Sequence, residues 1–123
     1  AISTHNFAQL ANELRVLRQL RHAHIVQFYG ACVDFDQGNL VLVEELVEGP
    51  RLGDFLAGAT NDPPGRSSHP IGLPDDAVRQ CLVLGVGRGL QYLHAHDPCI
   101  VHGDLKPDNI CVDQVNAKPR VKL

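Results

Sequence analysis

The chain has 123 residues, a formal net charge of -3, 44% hydrophobic and 20% charged residues, and four cysteines. These values suit one small soluble globular domain. The slight acidity gives no electrostatic footprint for nucleic acid or an anionic membrane surface, and no apolar run approaches the roughly 20 residues of a membrane-spanning helix. Cys32, Cys81, Cys99 and Cys111 have no paired spacing. Without a signal pattern or an Asn-x-Ser/Thr acceptor, they read as reduced thiols in the cytoplasm, with the nucleus also open. Met is absent even at position 1, so an excerpt of a longer chain or an incomplete gene model is expected.

The first predicted element is a helix. Phe7, Leu10, Ala11, Leu14, Leu17 and Leu20 recur at helical spacing, which makes a broad apolar stripe. Asn6 is the expected N-cap, with Gln9 three residues on as a weak capping box. At about 100° per residue Glu13 projects onto the stripe. A carboxylate there calls for a cationic partner or a wet edge.

Ile25–Tyr29 is rich in strand formers, Asp34–Asn39 reads as a hairpin turn with Gly38, and Leu40–Val43 reads as a buried strand. Glu44–Gly49 leaves the sheet. Leu52–Leu56 suggests one or two helical turns, and residues 58–74 form a polar loop rich in Gly, Pro and Ser. The Pro63-Pro64 pair belongs to that loop rather than to a partner ligand.

Pro74 and Asp75 open a second helix. Val78, Leu82, Val86, Leu90 and Leu93 line one face as far as about His96, and Asp97-Pro98 stops it. Gly85, Gly87 and Gly89 interrupt its middle. They are no phosphate cradle, because such cradles join a strand to a helix N-terminus. Close packing against a neighbouring helix is expected instead. His94, His96, Cys99 and His102 offer zinc-type donors, but a helix end and a Pro break separate them. Two short strands, Ile110–Val112 and Arg120–Leu123, close the chain around a turn at 113–118.

Between helix and strand stands Ile100-Val101-His102-Gly103-Asp104-Leu105-Lys106-Pro107-Asp108-Asn109-Ile110. The run resembles the eukaryotic protein kinase catalytic loop, His-Arg-Asp-Leu-Lys-Pro-x-Asn, with Gly103 in place of Arg. The chemistry that this resemblance implies suits the residue types: an in-line attack by a hydroxyl needs a carboxylate at its proton, an anionic transferring group needs a cation, and a hard metal ion prefers oxygen ligands. Asp104, Lys106 and Asn109 supply one of each kind. Asn12–Val26 resembles the family's αC helix and following loop, and Gly89–His94 resembles its αE helix.

The resemblance implies a partial protein-kinase-like α+β fold. Residues 1–43 would be part of the N-lobe with αC, 44–49 the hinge, and 50–123 the first part of the helical C-lobe. It implies ATP and Mg2+ as cofactors and a protein Ser/Thr hydroxyl as substrate, since Lys106 is the Ser/Thr-type residue. Tyr29–Cys32 hints at the tyrosine-kinase-like group. By carry-over, Asp104, Lys106 and Asn109 are catalytic, and Asn109 is a metal ligand. The Glu45 and Val47 backbones and Cys111 meet the adenine. Glu44 stands at the gatekeeper position, Glu13 pairs with a strand lysine, and His102 supports the loop. Gly103 makes the loop a non-RD type, without the arginine that binds a phosphorylated activation segment.

The alternative is a pseudokinase or scaffold, to which Gly103 and Glu44 lend weight. The Gly-rich loop, the strand lysine and the Asp-Phe-Gly motif do not occur in these residues. The 123-residue chain alone is therefore expected not to turn over ATP. Activity in a pure sample, abolished by Asp104→Asn, would contradict this.

Overall fold

The computed structural model describes residues 4–34, 37, 39–58, 74–114 and 118–123, with side chains from Gln9 onward. The elements run α1 (Thr4–Gln19), β1 (Phe28–Asp34), β2 (Asn39–Glu44), α2 (Leu52–Ala57) and α3 (Asp76–His94). A 3-10 turn (Pro107–Asn109), β3 (Cys111–Asp113) and β4 (Arg120–Lys122) follow. This is the expected α+β mixture, with β1–β2 and β3–β4 as two small antiparallel sheets.

α1 starts at Thr4, so Asn6 lies inside the helix instead of capping it. Among its described side chains Leu10, Ala11 and Leu14 are half-buried, and only Leu20, just past the helix, is fully buried. Leu20 is 4% exposed, whereas Leu17 is 36% exposed. Glu13 is exposed, so water solvates the carboxylate and no buried partner is required.

The strand expected at Ile25–Tyr29 begins later, at Phe28. Ile25 and Val26 are diverted because their N–H groups bond the carbonyls of His22 and Leu123. β1 then runs through Val33, paired with β2 from Phe28↔Glu44 to Asp34↔Asn39. Asp34 Oδ1 accepts the Gln37 N–H within the hairpin. β2 was expected to be buried, but Leu40, Val41, Leu42 and Val43 are 39–57% exposed. Among the described residues no second layer covers them. The Pro63-Pro64 loop lies outside the described residues.

α3 is opened by Asp75, whose carboxylate accepts the Val78 N–H at 2.7 Å. Its buried face presents Leu82 and Leu93. Leu82 joins Phe55, Ile110, Val112 and Val121 in the main core. Leu93 joins Leu20 and Ile25 in a second cluster, and Leu123 touches both.

The helix glycines do allow close packing, but not against a helix. A Cβ on Gly85 would lie 2.6 Å from Val121 Cγ2 and 2.9 Å from His24 Cε1. A Cβ on Gly89 would meet Leu123 Cδ1 and the His24 carbonyl. What approaches is β4 and the turn after α1. Gly87 faces open space.

These surroundings predict opposite outcomes for one chemical change. Gly87→Ala should stabilise by about 1 kcal/mol, the helix-propensity gain. Gly85→Ala should destabilise by about 1–3 kcal/mol, because overpacking exceeds that gain. Urea denaturation of the two variants beside the parent checks both signs.

Candidate active site

The segment from His102 to Asn109 is shaped by backbone and side-chain bonds. The Ile100 N–H is tied to the Leu93 carbonyl, near the end of α3. Ile100 and Val101 form no strand, and Val101 is 74% exposed. Gly103 turns the chain at φ +79°, a left-handed value that strains any residue with a Cβ. Lys106 and Pro107 carbonyls then accept the Asn109 and Ile110 N–H groups, closing the 3-10 turn. Pro107 suits this first position because its fixed φ is already helical.

The turn brings three side chains to one point. Asn109 Nδ2 donates to the Asp104 carbonyl at 2.9 Å and to Asp104 Oδ2 at 2.6 Å. Lys106 Nζ lies 2.9 Å from the same Oδ2. With Nδ2 occupied, Asn109 keeps its Oδ1 for another partner. Asp104 likewise keeps Oδ1. The Lys106 and Asp104 side chains are 50% and 67% exposed, so their pair is worth only ~0–1 kcal/mol. Lys106 is held lightly and can turn to a stronger anion.

Asn109 also lines a cavity of about 490 Å3 with Glu44, Arg51, His102, Cys111 and apolar side chains that include Ile25 and Leu93. This volume falls within the range of small-molecule sites, roughly 300–1,000 Å3. The cavity sits between β1–β2 with α1 on one side and α3 with β3 on the other. Of the residues singled out in the sequence, Glu44, His102, Asn109 and Cys111 face it. Asp104, Lys106, Glu45 and Val47 are not among its walls. Nor is Glu13, which stands in solvent on α1. His102 Nδ1 is buried without a hydrogen-bond partner among the described residues. His96 Nδ1 bonds the Tyr92 carbonyl, and no group of three His, Cys, Asp or Glu suited to a metal occurs among the described residues.

The segment after β2 is anchored on both sides. The Glu45 N–H bonds the Gln27 carbonyl. Farther on, Leu52 bonds Ile110, Val112 bonds Pro50, and Gln114 bonds Glu48. Among the described residues, the Glu45 carbonyl and Val47 N–H have no partner in that ladder.

Three contributors escaped the sequence reading. Lys122, 8% exposed, gives Nζ to both Glu45 oxygens at 2.8 Å. Gln27 gives its N–H to Glu45 Oε2 at 3.0 Å. Arg51 donates to the Asp108 carbonyl and reaches the cavity. Two adjacent acids after an apolar strand were the available signal that one needed a cation.

A cleft between a small sheet and a helical unit is thus bordered, through Asn109, by a bend that carries an acid, an ammonium and a carboxamide. The chain belongs to the protein kinase family: the family model described as "Protein kinase domain" matches residues 2–123. A probable leucine-rich repeat receptor-like serine/threonine-protein kinase of Arabidopsis thaliana is 36% identical over 107 residues, covering 86% of this chain and 10% of that protein. Chitin elicitor receptor kinase 1 of the same plant is 38% identical over 107 residues, with 86% and 15% covered. A dual specificity protein kinase of Dictyostelium discoideum is 33% identical over 109 residues, with 89% and 4% covered. The chain thus spans a small fraction of the length of these relatives.

The Glu45–Lys122 pair carries a pH signature. Burial raises the Glu45 carboxyl, but the Lys122 ammonium and the Gln27 N–H outweigh it and hold the group below its ordinary value of 4.5. A carboxyl depressed on folding stabilises the fold above its unfolded value, and this is lost as pH falls through its folded value. Stability should therefore drop with acidification below about pH 4.5. Lys122→Met should flatten that part of the curve and raise the Glu45 midpoint seen by carboxyl-carbon NMR.

Proposed function

We propose that the protein containing this chain is an ATP-dependent protein Ser/Thr kinase that moves the γ-phosphoryl group to a protein hydroxyl. The observation that carries this is the double bond from the Asn109 amide to Asp104, with Lys106 on the same carboxylate. Asp104 Oδ1 would accept the proton of the incoming hydroxyl, and Lys106 would swing to the transferring phosphate. Asn109 Oδ1, beside the cavity, would be an oxygen ligand for Mg2+. Bound Mg2+ would supply charge neutralisation at the phosphates.

The residues present fit ATP. The cavity has the volume and Cys111 lines it, and the Glu45 carbonyl and Val47 N–H, outside its walls, have no partner in the backbone ladder and would meet the adenine edge from beside it. In this reading residues 1–43, 44–49 and 50–123 are N-lobe part, hinge and C-lobe part. Glu13 awaits a strand lysine, and His102 supports the loop. Relatives named as receptor-like serine/threonine kinases, and Lys106, support the hydroxyl class. Four free thiols and an ATP-consuming reaction fit the cytoplasm. No described helix is long and apolar enough to cross a membrane.

In the full-length protein, Asp104→Asn should lower phosphotransfer from labelled ATP by about 10²–10⁴-fold, the usual span for a positioned acid–base group. Nucleotide binding should persist, and the product should be phosphoserine and phosphothreonine. Unchanged transfer, or phosphotyrosine alone, would overturn the proposal.

Gly103 adds a regulatory expectation. Its open surroundings and φ of +79° hold the bend without an arginine. Phosphatase treatment of the activation segment should leave the rate within about twofold, since there is no guanidinium at this position for the phosphate to engage.

A further inference from the structure

The joint between α1 and the rest of the molecule is built from an unusual set of rings. His22 stacks on Tyr92 of α3, with centroids 4.7 Å apart and planes at 17°. Tyr92 meets His96 edge-on at 4.7 Å, and His24 stands 5.6 Å from His22. The Tyr92 hydroxyl accepts the Arg21 N–H at 2.9 Å. Through this turn pass the backbone bonds from Val26 to Leu123 and from Leu123 to His24, which fasten β4.

The three imidazoles are not equivalent. His24 Nδ1 bonds the Val121 carbonyl and His96 Nδ1 bonds the Tyr92 carbonyl. Carbonyls only accept, so both rings donate from Nδ1 and can gain a proton at Nε2 without losing the bond. His22 is the reverse. Its Nδ1 faces the His24 backbone N–H at 3.2 Å, so it must accept, and the next proton to bind would occupy that atom.

We propose that His22 is an acid-sensitive latch: a proton at its Nδ1 breaks the bond to the His24 N–H and loosens the docking of the turn after α1 on α3 and β4. The groups around it are Arg21 and His24 of its own turn, Tyr92 of α3, which stacks on the ring with His96 beyond it, and Lys122 of β4, whose charge is shared with Glu45. Of these, His24 and Lys122 oppose a proton on His22. Burial, then His24, then Lys122, holds the His22 ring below its ordinary value of 6.5. A base depressed on folding stabilises the fold above its unfolded value, and that stability fades as pH falls through the folded value. The latch is therefore closed at neutral pH and released by mild acid. Any consequence for phosphoryl transfer would rest on the kinase reading, but the latch itself does not.

Hydrogen–deuterium exchange mass spectrometry on the full-length protein tests it without using activity. From about pH 7.5 to about pH 5.5, the span in which imidazoles titrate, peptides covering residues 20–26 should lose protection after correction for intrinsic exchange. His22→Asn keeps an acceptor oxygen in place of Nδ1 and cannot titrate, so its protection should be flat over the same span. His96→Gln should keep the parent's loss. Exchange at the ring C2 position reads the titration directly, and in the parent protein His22 should titrate below a free imidazole. If His22→Asn keeps the parent's loss of protection, or if the His22 ring titrates at or above the free value, the latch is refuted. Should His22→Asn fail to fold, the ring titration of the parent decides alone.

Discussion

The phosphoryl-transfer site proposed for this chain depends on one amide. Asn109 spends both protons of its Nδ2 on Asp104, one on the main-chain carbonyl and one on the carboxylate. Those two bonds span five residues and convert a loop into a rigid bend. They also fix which atoms remain. With Nδ2 and one carboxylate oxygen occupied, Asn109 Oδ1 and Asp104 Oδ1 are the groups left to meet a ligand. Without these two bonds the carboxylate, the ammonium and the amide oxygen would be free to wander, and preorganisation of such groups is most of what a phosphoryl-transfer site contributes.

The bend is useful only if it faces a cleft of constant width. That is secured by bonds between segments remote in sequence. The segment after β2 is laid along β3 by the Leu52–Ile110 and Val112–Pro50 bonds. The Glu45 carboxylate is clamped by Lys122 from β4 and by the Gln27 N–H from the approach to β1. A buried ion pair of this kind is poor evidence for net stability, since desolvation offsets much of the attraction. Its value here is geometric: it fixes three strand ends relative to one another. The ring stack of His22, Tyr92 and His96 joins the turn after α1 to α3.

Local rules were legible in the sequence. Asp75 caps α3 as its position suggested, and Asp104, Lys106 and Asn109 meet as their spacing suggested. What escaped was set by distant partners. Ile25 and Val26 read as strand, yet their N–H groups go to His22 and Leu123, and no periodicity reveals that. Glu13 sits on an apolar stripe by angle, but α1 buries no described side chain of the stripe fully, and the acid stays wet. Leu40–Val43 looks like core because it is apolar, and only the surrounding layers determine whether it is covered. Of the α3 glycines, Gly85 and Gly89 are close-packing sites and Gly87 is not, and whether the neighbour is a helix or a strand cannot be inferred from one face alone. Lys122 was invisible because a lysine in a short strand normally marks an edge, not a clamp.

The decisive measurement is a crystal structure of the complete catalytic domain with Mg2+ and a non-hydrolysable ATP analogue. The account predicts Asn109 Oδ1 on the metal at about 2.0–2.1 Å, its Nδ2 still on Asp104, and the adenine against Cys111. A nucleotide bound elsewhere, or Asn109 turned from Asp104 with the three side chains apart, would contradict it.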